Sequence, residues 1–343
     1  MKNIQAVFIF RLCAIMCIEG ESQMLFPIFV FMNFFYHAFG LVIESQVECP
    51  ELMPDVGQST PDVQIRLDDA PFHLDHGMAL GDWIEGCSGQ ILLKITNVAN
   101  YWIHDGQEIV VDAAQGVSPE DVRIYLLGSA MGAVLHQRGL LPFHGSTICM
   151  DGQAISFSGP SGIGKSTLAA ALVGRGYRML ADDVSAISFT GQGVPMVNPG
   201  MPQLKLCDDS GQQLGRNPSS ACSLGNRARK CGYPEHAAFI TEALPSKAIY
   251  ILGRHAEDGF KEIPLKGVDK FHALRINTYR PSFVKAMGLE LTHFDLLKKL
   301  AGHIDVRVLL RPADGFRIDE LADKVSPPRL IHHILPLIII TYQ

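Results

Sequence analysis

The feature that most narrows the folds open to this chain is the run Gly159-Pro160-Ser161-Gly162-Ile163-Gly164-Lys165-Ser166. An alternating apolar stretch, Ala154–Ser158, leads into it, and a helix-forming stretch, Thr167–Val173, follows. The expected unit is therefore strand, glycine loop, helix, which belongs in an α/β protein. Each residue type in the loop has a physical reason. Glycines permit a tight turn whose backbone amides converge on one point, and the helix adds its positive end to the same place. Lys165 reaches the β- and γ-phosphates of a nucleotide from there, and the Ser166 hydroxyl is a ligand for magnesium. Residues Gly159, Pro160, Ser161, Gly162, Ile163, Gly164, Lys165, Ser166 and Thr167 are the expected nucleotide-binding set, with ATP and Mg2+ as its ligands.

A second element follows closely. Tyr177–Ala181 reads as a strand ending on Asp182-Asp183, 17 and 18 residues after Lys165. One helix and a turn at Arg175-Gly176 fill that interval, so the strand is expected to return beside the loop and deliver both carboxylates to it. Because side chains alternate along a strand, the two should point in different directions. One would hold the metal and the other would meet an incoming acceptor.

The rest of the chain is organised around this unit. Residues 38 to 112 read as short strands: Ala38–Ser45, Asp62–Leu67, Gln90–Ile95, and Tyr101–His104 with Glu108–Val111 about an Asp105-Gly106 turn. Ser118-Pro119-Glu120-Asp121 opens a helix, with a capping hydroxyl, a proline suited to the first turn and acids at the positive end. The helix is expected to run to Gly139. Thr147–Met150 and Ala154–Ser158 form a hairpin about Asp151-Gly152. The segments expected are 1–35, 36–117 (β-rich), 118–325 (the P-loop catalytic unit) and 326–343.

Composition excludes several classes. With 47% apolar and 19% charged residues the chain is globular, and a net charge of −6 removes the basic excess that nucleic-acid binding requires. The eight cysteines are scattered without a Cys-x-x-Cys pair, which argues against a zinc site and a disulfide framework, and for a reducing, cytoplasmic setting. Residues 24–43 match a bilayer span in length, but Pro27, Asn33, His37 and Gly40 interrupt them. Residues 1–35 read as an extension or leader, with membrane contact as the alternative. The apolar stretch 330–342 is too short to span alone.

Three stretches together resemble a known family. Leu141-Pro142-Phe143-His144-Gly145, the loop, and Arg175-Gly176-Tyr177-Arg178-Met179-Leu180-Ala181-Asp182-Asp183 are similar to the catalytic domain of bacterial HPr serine kinase/phosphorylase. Gln137–Leu141, Pro202-Gln203-Leu204-Lys205-Leu206 and Tyr279-Arg280-Pro281 resemble the shorter HPr-kinase-like proteins, some found beside lasso-peptide genes. The resemblance implies a P-loop core of the HPr kinase/PEP carboxykinase-like type, with a small β-rich region before it. It implies Asp183 as the base that takes a serine proton, Asp182 near the metal and His144 at the reacting phosphate. Arg280 becomes the candidate that stabilises phosphoryl charge, with Arg254 and Arg275 as rivals. The implied partner is a peptide or small protein with an acceptor serine, and a homo-oligomer is compatible with it.

One departure matters. The family carries Glu-x-Arg-Gly-x-Gly after the paired aspartates, with a metal-binding glutamate tied to the reverse, phosphate-splitting reaction. Here that place holds Leu204-Lys205-Leu206-Cys207-Asp208-Asp209. The resemblance therefore implies transfer without phosphorylase activity. A small-molecule kinase and a non-catalytic ATP-binding module are the readings that stay open beside it.

Overall fold

The computed structural model describes residues 33–55, 59–216, 230–315 and 317–326. The expectations for residues 1–32 and 327–343 lie outside them. The chain is an α/β protein with mixed sheets. Nine strands make the first sheet: β1 Phe34–Ala38, β2 Leu41–Ser45, β3 Met53–Pro54, β4 Val63–Leu67, β5 Met78–Ala79, β6 Ile84–Cys87, β7 Gln90–Ile95, β8 Ala99–His104 and β9 Glu108–Ala113. Their order is β3-β1-β2-β4-β9-β8-β7-β6-β5. The pairs β2–β4 and β4–β9 are parallel and the others antiparallel. Period-two alternation puts Ala99, Tyr101 and Ile103 of β8 into the core. The single strand expected over Ala38–Ser45 is two strands of a hairpin, because Phe39 and Gly40 both take positive φ and reverse the chain.

A helix covers this sheet. Ser118 caps α1 (Pro119–Tyr125) by accepting from the Asp121 amide at 3.1 Å. A π-helical stretch, Leu126–Ala130, then leads into α2 (Met131–Gln137). The Tyr101 hydroxyl donates to the Val122 carbonyl at 2.8 Å and ties helix to sheet. Val122, Leu126, Met131 and Val134 share one core with Ile43, Ile65, Ile91 and Ile109. Apolar packing thus continues across residue 117. Gly132 allows the Tyr279 ring to approach the helix, since a Cβ there would lie 2.8 Å from Tyr279 Cε1.

The second sheet carries the glycine loop. Its strands are β10 Leu141–Met150, β11 Gln153–Ser158, β12 Arg178–Ala181, β13 Val184–Phe189 and β14 Pro195–Asn198. After a two-stranded ribbon of β15 Gln203–Cys207 and β16 Lys230–Pro234 come β17 Leu244–His255, β18 Lys261–Pro264 and β19 Asp305–Pro312. The order is β11-β10-β13-β14-β17-β19-β18, with β12 also on β10 and β11 also on β17. The strands β11, β17 and β19 run parallel, so their carboxyl ends open on one side. The helices are α3 Lys165–Gly174, α4 Asp208–Gln213, α5 Gly267–Ile276, α6 Pro281–Ala286, α7 Glu290–Ala301 and α8 Ile318–Val325. Buried Leu168, Ala169 and Leu172 seat α3 against Ile148, Phe157 and Leu321. Among the described residues no helix is long and apolar enough to cross a membrane. Cys49, Cys87, Cys149 and Cys207 are free thiols, whereas Cys231 is disulfide-bonded, a pairing the spacing did not predict.

Candidate active site

The strand β11 ends at Ser158, the loop Gly159–Gly164 follows, and α3 begins at Lys165. Gly159 has φ +133, and a Cβ there would stand 2.7 Å from the Leu252 carbonyl of the adjacent β17. Only a residue without a side chain fits that place. Gly164 caps α3 in the left-handed region at φ +110. The Lys165 ammonium is 7% exposed and donates to the carbonyls of Gly159 at 2.9 Å and Pro160 at 3.0 Å. Thr167, in the first turn beside Ser166, bonds Ser210 of α4 at 3.3 Å.

The two aspartates diverge. They fill the turn between β12 and β13, with Asp183 at φ +71. Asp182 is 2% exposed; Oδ1 accepts from the Ser146 hydroxyl at 2.5 Å and Oδ2 from the Lys205 amide at 2.7 Å. The Asp183 carboxylate lies 3.1 Å from Lys205 Nζ and 3.5 Å from His144 Nδ1. His144 Nδ1 also lies 3.0 Å from the Asp183 carbonyl, to which it can donate, and the Gly145 amide donates there at 3.2 Å. Burial opposes the charge on Lys205, but the Asp183 carboxylate and Tyr279 outweigh it and hold its pKa above the usual lysine range.

A third segment completes the site. Residues 277–280 are strapped to β10: the His144 amide donates to the Asn277 carbonyl at 3.1 Å and the Tyr279 amide to the Pro142 carbonyl at 2.8 Å. Behind them, His136 Nε2 donates to the Tyr279 carbonyl at 2.8 Å, and His293 Nε2 pairs with the Thr278 hydroxyl at 3.1 Å. Burial pushes the His136 pKa down to about 4. Arg280 caps α6 at φ +50, a left-handed conformation rare for so large a residue. Its guanidinium carbon stands 5.3 Å from the Trp83 ring and 5.6 Å from the Tyr279 ring. Its Nε is buried and has no hydrogen-bond partner among the described residues. Burial, and then the Asp183 charge, raise the pKa of the Tyr279 hydroxyl.

These segments face one cavity of about 960 Å³, the size of a nucleotide-scale ligand site. It brings together His144, Asp183, Lys205 and Arg280 with the leading edge of the loop, Gly159–Ser161. Of the three arginines weighed from sequence, Arg280 lines it, and neither Arg254 nor Arg275 does. Gly162, Ile163, Gly164, Lys165, Ser166, Thr167 and Asp182 do not line it. Asp182, expected as a metal ligand, is spent inside the protein on Ser146 and Lys205. In the sequence Lys205 stands out only as part of a resembling stretch. The alternation of Leu204 and Leu206, both buried, sets its side chain apart from them, but nothing local announces Asp183 as its partner.

Among the described residues no three His, Cys, Asp or Glu side chains cluster in a way that would hold a metal by themselves. That donor set suits magnesium carried on phosphates with one or two protein oxygens, the usual mode for this ion. The Ser166 hydroxyl, in the first turn of α3, is the fitting protein oxygen.

No family model matches the chain. Two curated proteins are similar to it over a short stretch, and both are HPr kinase/phosphorylases. That of Chloroherpeton thalassium is 41% identical over 56 residues, 16% of either chain. That of Prosthecochloris aestuarii is 44% identical over 52 residues, 15% of either chain. The matched stretch thus spans about one-sixth of these relatives. Among solved structures, the Hpr(Ser) kinase/phosphatase from Coxiella burnetii aligns with 54% of this chain and 87% of its own, at 13% identity and a TM-score of 0.31. By sequence, then, the chain is similar to HPr kinase/phosphorylases over a limited stretch.

Proposed function

We propose that this chain is an ATP-dependent kinase that moves the γ-phosphoryl group of ATP to a serine-type hydroxyl of a peptide or small protein. The observation that carries the reading is the convergence of one carboxylate, Asp183, and one cation, Arg280, at the mouth of a glycine loop. The loop and α3 cradle the triphosphate with backbone amides. Lys165 leaves its own loop carbonyls for the phosphate oxygens, and Ser166 holds the magnesium that accompanies the nucleotide. Bound there, that ion supplies positive charge to the β- and γ-phosphates.

Asp183 accepts the hydroxyl proton as the acceptor oxygen bonds to the γ-phosphorus. The bond from that phosphorus to the β–γ bridging oxygen breaks, and ADP leaves with the electron pair. Arg280 faces the charge spread over the transferred group, and His144 orients the Asp183 turn through its bond to the backbone carbonyl. The catalytic unit in this reading is residues 118–325. Lacking the Glu-x-Arg-Gly-x-Gly segment, it runs forward only. Incubation of the phosphorylated product with inorganic phosphate should release no pyrophosphate.

The direct test is thermal. Saturating ATP with millimolar magnesium should raise the melting temperature of the wild type, by about 3 kcal/mol of added stability at a hundredfold excess over Kd. Lys165→Ala should remove turnover and most of that shift while the circular-dichroism spectrum shows the fold intact. A wild type whose melting is indifferent to ATP would sink the reading.

A further inference from the structure

We infer that Lys205 is a phosphoryl-binding residue of this site, a fixed side-chain cation placed to contact the γ-phosphoryl oxygens. The inference rests on the kinase reading and names a contact which that reading does not require. Its geometric basis is threefold. The backbone of Lys205 is pinned, because its amide bonds the buried Asp182 carboxylate at 2.7 Å. Alternation along β15 buries Leu204 and Leu206 and sends the Lys205 side chain the other way, into the cavity wall shared with Gly159–Ser161 and Arg280. Its ammonium then meets Asp183 Oδ2 at 3.1 Å.

An ammonium has three donors. Among the described residues, Asp183 is the acceptor that this one meets. The remaining donors sit at the cavity. Two cations against one carboxylate leave the cavity a net positive charge to be met by an anion. A pair this enclosed gains little stability over apolar replacements, since desolvation offsets its attraction. A transferring phosphoryl group spreads negative charge over three oxygens, and a preplaced cation meets that charge without reorganisation. Lys205 exchanges no proton; it donates hydrogen bonds and remains an ammonium. The same charge also keeps Asp183 from being repelled by the incoming phosphate.

The experiment is equilibrium binding of magnesium-ATP and magnesium-ADP by calorimetry, which needs no acceptor. Lys205→Gln keeps a hydrogen bond to Asp183 and removes the charge. ATP affinity should fall roughly 10- to 100-fold, the worth of a charged hydrogen bond. ADP affinity should stay within about threefold, and Lys205→Arg should recover part of the preference for ATP. If Lys205→Gln does not fold, Asp183→Asn with Lys205→Gln, compared with Asp183→Asn alone, reads the same contact with both charges of the pair removed. Equal losses for ATP and ADP, or no loss, overturn the inference and leave the kinase reading intact. A wild type that binds neither nucleotide overturns both.

Discussion

Removing the Asp182 carboxylate separates a scaffold from a metal ligand. In the structure this side chain is 2% exposed and answers two buried donors, the Ser146 hydroxyl and the Lys205 amide. Asp182→Ala leaves both unsatisfied. At about 1–3 kcal/mol for each stranded donor the loss is on the order of 4 kcal/mol. For a protein of this size roughly 1.5 °C of melting temperature accompanies each kcal/mol, so the midpoint should fall by about 6 °C. Asp182→Asn keeps one acceptor and turns its amide toward the other donor, and should lose about half as much. Differential scanning fluorimetry without nucleotide reads the order directly: wild type, then Asn, then Ala. The reasoning fails if Asp182→Ala melts within about 2 °C of the wild type while its magnesium requirement rises. That result would make the carboxylate a metal ligand, as its position in the sequence first implied.

Asp183→Asn keeps the shape of the proposed base but cannot accept a proton. ATP binding should survive, and phosphoryl transfer should fall by roughly 10²- to 10⁴-fold; unimpaired transfer would remove Asp183 from the chemistry. His136 gives a pH dependence of known sign. Its pKa falls from 6.5 to about 4, mainly through burial, against the bond to the Tyr279 carbonyl and with the facing His293 ring adding to the fall. The unfolded chain therefore takes up a proton that the folded chain refuses. Stability from this group is complete above pH 6.5 and declines as pH drops toward 4, by about 3 kcal/mol in all. His136→Gln keeps a donor for Tyr279 without titrating, and should flatten the melting temperature between those limits; an unchanged acid slope would assign it to other groups.

How much of this was legible in the sequence varies by element. The hairpin about Asp105-Gly106, the Ser118 cap and the strand–loop–helix at Gly159–Lys165 each depend on backbone rules that act within a few residues. Such rules are written locally, so a reader of the chain can find them. The hairpin at Phe39–Gly40 escaped because Phe39 is an unusual residue for a positive φ and gives no turn signal. The π-helical stretch at Leu126–Ala130 has no local mark either; it lies where the helix covers the first sheet and Tyr279 packs on Gly128 and Gly132.

The site divides in the same way. The residues alone dictate an α/β chain with a glycine loop and a paired aspartate at one helix's distance, and the family resemblance adds the candidacy of His144 and Arg280. Tertiary structure alone decided which aspartate faces the cavity. The pairing of β12 with β10 buries Asp182 onto Ser146, and the positive φ at Asp183 turns the next carboxylate outward. It also decided that Arg280, among three arginines, reaches the site, because the segment from Asn277 is bonded to β10. Lys205 shows the reason most plainly. Its partner Asp183 is 22 residues away in the chain and 3.1 Å away in space, and an ion pair closed between a strand and a distant turn leaves no pattern in the residues on either side of it.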